Sequence, residues 1–276
     1  MKLRRLINSL PSHLFLGGVS FLVVFPIIWM ISSAFKPPYE LFSEEIHVIP
    51  QNPTLENFVI AWQNYGVPRW MLNSFVTATG ITVGQIATSL LAAYAFGTFI
   101  FRGREALFAI FLGTLIVPFQ VTMIPNYILI TKMDLLNTWW AVILPNLPNA
   151  FGVFLLRQYF LSFPRELLDA AKLDGATSWQ VLWRILAPLS KAPIFALCVL
   201  FFLDAWNQYF WPLLVLTEPA ARTIPIGLQQ FLDSETGHRW GPFMASATIA
   251  CLPTLLVYLV AQKRIIGAAI TSGFKG

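Results

Sequence analysis

Six apolar stretches, each long enough to cross a bilayer, constrain this chain more than any other feature. They are Leu14–Phe35, Trp70–Phe101, Ala106–Thr131, Leu135–Leu156, Ala192–Thr217 and Trp240–Gln262. A spanning helix needs about 20 mainly apolar residues. Asp204, in the fifth run, is the one Asp, Glu, Lys or Arg that any of them contains. Only 11% of the residues are charged and 57% are hydrophobic, against about 25% charged in soluble domains. A single soluble core would leave too much apolar surface in water. The spacing predicts an all-α integral membrane protein with six transmembrane helices. The first run is not read as a cleavable signal peptide, because it is too long and no small-residue cleavage site follows it.

Lys and Arg set the expected orientation, because cytoplasmic loops carry their excess. With the amino terminus inside, the inner segments hold Lys2, Arg4, Arg5, Arg102, Arg104, Arg157, Arg165, Lys172, Arg184, Lys191, Lys263, Arg264 and Lys275. The outer segments hold only Lys36, Arg69, Lys132, Arg222 and Arg239. Both termini are therefore expected in the cytoplasm. Segment 157–191 is then the longest inner connection, and 263–276 is an inner tail. Outside lie two sizeable segments, Lys36–Arg69 and Glu218–Arg239, the first with Thr54 as candidate cap of a short amphipathic surface helix. The net charge of +5 reads as a topology signal. Nucleic acid is not an expected partner, since no basic stripe with interleaved aromatics stands outside the runs.

Other chemistry is sparse. Cys198 and Cys251 sit in apolar runs and read as small hydrophobes. His13, His47 and His238 are scattered, so no cluster has metal-ligand spacing. No G-x-x-x-x-G-K-[ST] nucleotide loop occurs. Proline is frequent within or beside the runs, at 118, 125, 145, 148, 193, 212 and 253. A helical proline removes a donor that lipid cannot replace. Most of these prolines read as kinks satisfied by neighbouring helices, yet their density suits helices that bend around a path.

Segment 157–191 carries its own fold signals. Pro164 suits the first turn of a helix over Arg165–Leu173. Gly175 can supply the left-handed backbone that ends it. Thr177-Ser-Trp-Gln180 matches a capping box for a second helix, with Trp179, Leu182, Trp183 and Leu186 as its apolar face and Pro188 closing it. Small residues at the tip (Ala170, Ala171, Gly175, Ala176) would let another backbone come close, and Asp169 offers a carboxylate to a partner arginine. An amphipathic hairpin lying on the bilayer fits the same residues equally well.

A family resemblance separates the two. Asp169-Ala170-Ala171, then three residues and Gly175, nine residues and Ile185, one residue and Ala187-Pro188, resembles the E-A-A-x3-G-x9-I-x-L-P loop of ABC importer permeases, with Asp for Glu and Ala for Leu. Asn73-Ser74, Ala92-Ala93-Tyr94, "VPFQVTMIPNY" (117–127), "FLLRQYFLSFPREL" (154–167) and "AWNQYFWPL" (205–213) are similar to carbohydrate-uptake permeases of the maltose-transporter type, second-permease branch. "GAAITSGFKG" resembles the tail that many such permeases press on the ATPase. The resemblance implies a type I ABC importer permease fold in a bacterial or archaeal cytoplasmic membrane. It implies a heterodimer with a second permease, two ATPase subunits that bind ATP and Mg, and an extracytoplasmic solute-binding protein. This chain would have no cofactor and perform no covalent chemistry. Asp169, Ala170, Ala171, Asp174, Gly175, Ile185 and Pro188 are the implied ATPase-coupling residues.

Solute contacts are read from polar residues within the runs. An intramembrane carboxylate costs about 2.5 kcal/mol or more at a helix centre, so Asp204 is expected to face a pore, a wet cavity or a partner chain. Asn207, Gln208 and Trp211 follow at helical spacing and would share its face, making a surface suited to a sugar. The bland readings are a helix-crossing hydrogen bond for Asp204 and an interfacial anchor for Trp211. Gln85, Gln120, Asn146 and Asn149 are further candidates. A sugar or oligosaccharide is the expected cargo. Glycerol-3-phosphate or a glycerophosphodiester is the alternative, since "WNQYFWPLL" is also similar to those importers. An intramembrane enzyme lacks a catalytic set, an ion-coupled transporter lacks inverted repeats and a chain of ionisable groups, and an exporter would carry long cytoplasmic extensions.

Overall fold

The computed structural model describes residues 2–43, 45, 47–232 and 239–273, with the side chains of those from Ser12 to Gln262. Every regular element among the described residues is helical. Three helices are long and apolar enough to span alone: Ser12–Ala34, Val67–Thr98 and Trp240–Gln262. Three more candidate spans are bent pairs. Arg104–Ile116 and Phe119–Lys132 meet at 99°, Trp139–Asn146 and Ala150–Leu161 at 47°, and Ser178–Leu189 and Lys191–Trp206 at 81°. The first two breaks fall beside Pro118 and Pro148. Pro125 and Pro253 lie inside helices that continue past them. The fifth apolar run is itself divided, into Lys191–Trp206 and Phe210–Val215.

The chain forms two units, Met1–Pro68 with Leu228–Leu252, and Arg69–Gly227 with Pro253–Gly276. In the first, the apolar stretch Ser12–Ala34 has no buried share in its most hydrophobic window. Asn57 closes the end of that helix: its amide donates to the carbonyls of Ala34 at 3.0 Å and Lys36 at 2.7 Å. These acceptors lie where a helix leaves its carbonyls without internal donors. Asn57 belongs to a short surface helix, Glu56–Asn64. The cap position is Leu55 rather than Thr54, although the Thr54 hydroxyl still accepts from the Glu56 amide at 3.1 Å. Lys36 is not a free loop charge. It is buried, with Nζ 4.4 Å from the Trp29 ring centroid and donating to the His47 carbonyl.

The second unit shows how broken helices survive at membrane depth. Pro145 has no N–H for the Ala141 carbonyl, and the Trp211 indole donates to that carbonyl instead at 2.9 Å. Around Pro148 the chain leaves helical geometry, and two side chains of the second-span helix answer the loose carbonyls. Gln85 donates to Asn146 at 2.7 Å and Thr88 to Leu147 at 2.9 Å. Their spacing of three residues puts both on one face. The same helix carries Gly80 and Gly84, one turn apart. A Cβ on either would stand 2.7 Å from Ile143 Cδ1 or 2.2 Å from Leu147 Cδ2. The small-x-x-x-small pair lets the broken fourth span come close. At the helix start, Trp70 and Asn73 donate to the carbonyls of Pro219, Ala220 and Arg222, and Ser74 Oγ accepts from the Ile224 amide.

Candidate functional site

The hairpin after the fourth span is built largely as its residues predict. A helix covers Arg165–Leu173. It ends in a Schellman turn: Ala176 N–H donates to the Ala171 carbonyl and Gly175 N–H to that of Lys172. Gly175 takes φ +76°, a backbone that favours glycine. Thr177 and Gln180 form a reciprocal capping box, at 2.8 Å from Thr177 N–H to Gln180 Oε1 and 3.3 Å from Gln180 N–H to Thr177 Oγ1. Pro188 does not close the second helix. That helix widens into a π-helical stretch over Val181–Leu186, runs on through Pro188 and turns at Ser190. A proline ring clashes with the carbonyl four residues back, and a widened turn relieves the clash.

The expected apolar face is also divided. Val181, Leu182 and Leu186 are buried, but Trp179 is 62% and Trp183 38% exposed, stacked edge-to-face with centroids 5.4 Å apart. The buried set joins Ala171 and Ala187 to Leu90, Ala93, Tyr94, Leu156 and Phe160 of the second and fourth spans, with Ile185 half-buried against it. Each buried leucine here is worth about 2 kcal/mol relative to water. Ala171 therefore packs inward and is not presented at the tip. Asp169, Ala170, Asp174, Gly175 and Pro188 are exposed, and a Cβ on Gly175 would meet nothing within 4 Å. Asp169 accepts from Lys172 at 3.4 Å, a solvent-exposed pair of small energetic value. The hairpin is anchored at its root and open at its rim.

The polar residues of the spans do not gather on one face. The helical spacing from Asp204 to Trp211 assumes a continuous helix, and the helix stops at Trp206. Asp204 and Asn207 are exposed; Asn207 Nδ2 donates to the Leu203 carbonyl at 2.7 Å, and among the described residues no ion pair reaches Asp204. Past the break, Trp211 is fully buried and meets Phe119 edge-to-face. It is part of the wall in this conformation. Gln208 and Asn146 exchange amide hydrogen bonds at 2.9 and 3.4 Å, and Gln85 is buried on the Asn146 carbonyl. Three candidates from three spans thus form one internal amide cluster. Asn149 caps the helix Ala150–Leu161 by accepting from Gly152 N–H. Gln120 is exposed, in the first turn after the 99° bend.

Arg157, counted in the sequence only as a topology charge, proves to be a brace. It is buried, and one of its terminal nitrogens donates to both carboxylate oxygens of Glu105 at 2.8 and 2.9 Å. Its Nε donates to the Phe96 carbonyl at 3.0 Å, and the guanidinium lies 4.0 Å from the Phe108 centroid. It ties together the ends of the second and fourth spans and the start of the third. Glu105, in the first turn of the Arg104–Ile116 half of the third span, also accepts from Arg104 Nε at 3.0 Å. An arginine flanked by "FLL" and "QYF" was the available signal, because a charge amid apolar residues demands a partner. The tail "GAAITSGFKG" continues as helix to Gly273; its side chains lie outside the described residues, as does His238.

These features define a class: a multi-span helical membrane protein with bent spans, a rooted hairpin and no assembled catalytic group among the described residues. A chain of the bacterial ABC transporter that imports the acidic polysaccharide alginate has the same fold. Its TM-score is 0.83 at 22% identity, over 93% of this chain and 96% of that one. Residues 85–268 match the family described as the binding-protein-dependent transport system inner membrane component. The arabinooligosaccharides transport system permease protein AraQ of Halalkalibacterium halodurans is 33% identical over 94% of this chain and 93% of its own length. The sn-glycerol-3-phosphate transport system permease protein UgpE of Rhizobium meliloti is 34% identical over 94% of this chain and 95% of its own. The chain belongs to the family of binding-protein-dependent ABC transporter permeases. It is a multi-pass inner-membrane subunit that performs no catalysis, and ATP is handled by a partner ATPase.

Proposed function

We propose that this permease carries a sugar or oligosaccharide inward as one half of a heterodimeric pore, with both termini cytoplasmic. Two ATPase subunits drive it, and one of them grips the hairpin at Asp169, Ala170, Asp174 and Gly175. The observation that carries this reading is the contrast within the hairpin. Its root is packed on the second and fourth spans, so a pull on it reaches them, while its rim spends almost none of its polar or small groups on its own chain. Ala171, Ile185 and Pro188 then act from behind the contact, by packing and by bending the second helix. Cysteine crosslinking from Ala170 to the ATPase in assembled transporter tests the grip; crosslinks to phospholipid alone would sink it.

The cargo reading rests on Asp204, Asn207 and Gln120, the exposed polar candidates of the spans. A carboxylate and two amides suit hydroxyl groups, and no cation stands among these three to meet a phosphate. A glycerol-3-phosphate or glycerophosphodiester cargo is the second reading, favoured by the near-equal identity to the glycerol-3-phosphate permease above. Uptake of labelled arabino-oligosaccharide against glycerol-3-phosphate, in vesicles with the cognate binding protein, separates them. Uptake that persists without ATP would remove both.

A further inference from the structure

A groove of about 180 Å3 lies where the second and fourth spans end beside the hairpin. Three cations line it, Arg104, Arg165 and Lys172, against one carboxylate, Asp169. Arg104 is committed to Glu105 and the Phe99 carbonyl, and Lys172 holds Asp169 only at 3.4 Å. Among the described residues nothing pairs with Arg165, which is exposed. The same lining includes Ile100, 91% exposed, and Leu161, 45% exposed. Phe99 and Phe101, 44% and 39% exposed, flank Ile100 in sequence. One unpaired cation, a second held only by a long exposed pair, and uncovered apolar side chains therefore share one groove, at the level where apolar runs give way to charge. Aromatic residues favour that interfacial level, and basic pockets there attract anionic headgroups.

We propose that this groove is a binding site for the headgroup of an anionic phospholipid. Arg165 and Lys172 take the phosphate, the first as a planar fork and the second as a mobile point charge. Acyl chains run along Ile100 and Leu161 into the bilayer. A groove this size is smaller than the roughly 300–1,000 Å3 of small-molecule pockets, which suits a headgroup whose tails lie outside it. The lipid would wedge the base of the hairpin against the spans. The inference rests on the proposed orientation, which puts the groove in the inner leaflet.

The test uses the whole transporter in nanodiscs of phosphatidylglycerol and phosphatidylcholine, with retained lipid read by native mass spectrometry after extraction into detergent. The wild type is expected to retain phosphatidylglycerol. Each cation near an anionic surface counts for roughly fivefold in binding, so R165Q with K172Q should lower retention by about 25-fold. The charge-keeping pair R165K with K172R should hold most of it. Both sites are exposed, so the fold should survive. Equal retention by R165Q/K172Q, or equal retention of phosphatidylcholine, would overturn the proposal. Displacement by millimolar inorganic phosphate would also overturn it, by assigning the site to a free anion. ATPase co-purification, followed in parallel, reports the hairpin's grip separately. Labelling of a cysteine at 165 from outside intact cells would instead show the orientation to be wrong.

Discussion

The hairpin and the amide cluster of the broken spans contain similar polar residues used in opposite ways. In the cluster, Gln85, Asn146 and Gln208 spend their amides on one another and on a loose carbonyl, while Thr88 and Trp211 answer two more carbonyls beside Pro145 and Pro148. At the hairpin rim, Asp169, Asp174 and Gly175 face solvent with at most one weak internal pair. A polar group with all its bonds inside the chain holds shape, and one left open awaits a partner. The first kind should cost stability when removed, and the second should cost function.

Substitutions can break that division, ranked by cost to the fold. Trp211→Ala should be worst, at about 3 kcal/mol or more, because it removes a fully buried side chain and strands the Ala141 carbonyl. A thermal unfolding midpoint close to the wild type would show that Trp211 is not a wall. Gly175→Leu should cost about 1–2 kcal/mol of local backbone strain and leave the spans folded, since its Cβ has open space in this chain. ATPase co-purification should nevertheless fall sharply; intact co-purification and uptake would contradict the rim assignment. Gln85→Leu should cost about 1 kcal/mol, read as a small fall in melting temperature with assembly retained.

The Arg157–Glu105 brace gives a weaker effect. Glu105→Gln keeps the shape of the side chain and removes the charge that Arg104 and Arg157 face. It should lower the thermal midpoint slightly; an unchanged midpoint would make the pair neutral. Asp204→Leu sits at the far end of the ranking. It should leave melting unchanged and abolish most uptake, and normal uptake would demote Asp204 to an incidental surface group.

Much of the hairpin was legible in the sequence because its signals are local. Pro164, Gly175 and the Thr177–Gln180 box each act within four residues, and helix boundaries followed from them. The face of its second helix differs from its periodicity, because Trp179 and Trp183 are apolar yet exposed, while Val181, Leu182 and Leu186 reach the spans. The candidate solute face was less legible still. Helical spacing from Asp204 to Trp211 requires a continuous helix across Asn207–Tyr209, and the interruption there puts Trp211 in the wall.

By itself the sequence determined the membrane class, the six apolar runs and the hairpin's caps, since run length, charge and local capping act without reference to distant residues. The tertiary structure decided which spans break and which donors answer the prolines. It also decided that Arg157 braces three span ends. Each of those depends on a group 50 or more residues away arriving within 3 Å or so of an orphaned carbonyl or carboxylate, and in hydrocarbon no water is present to substitute for it.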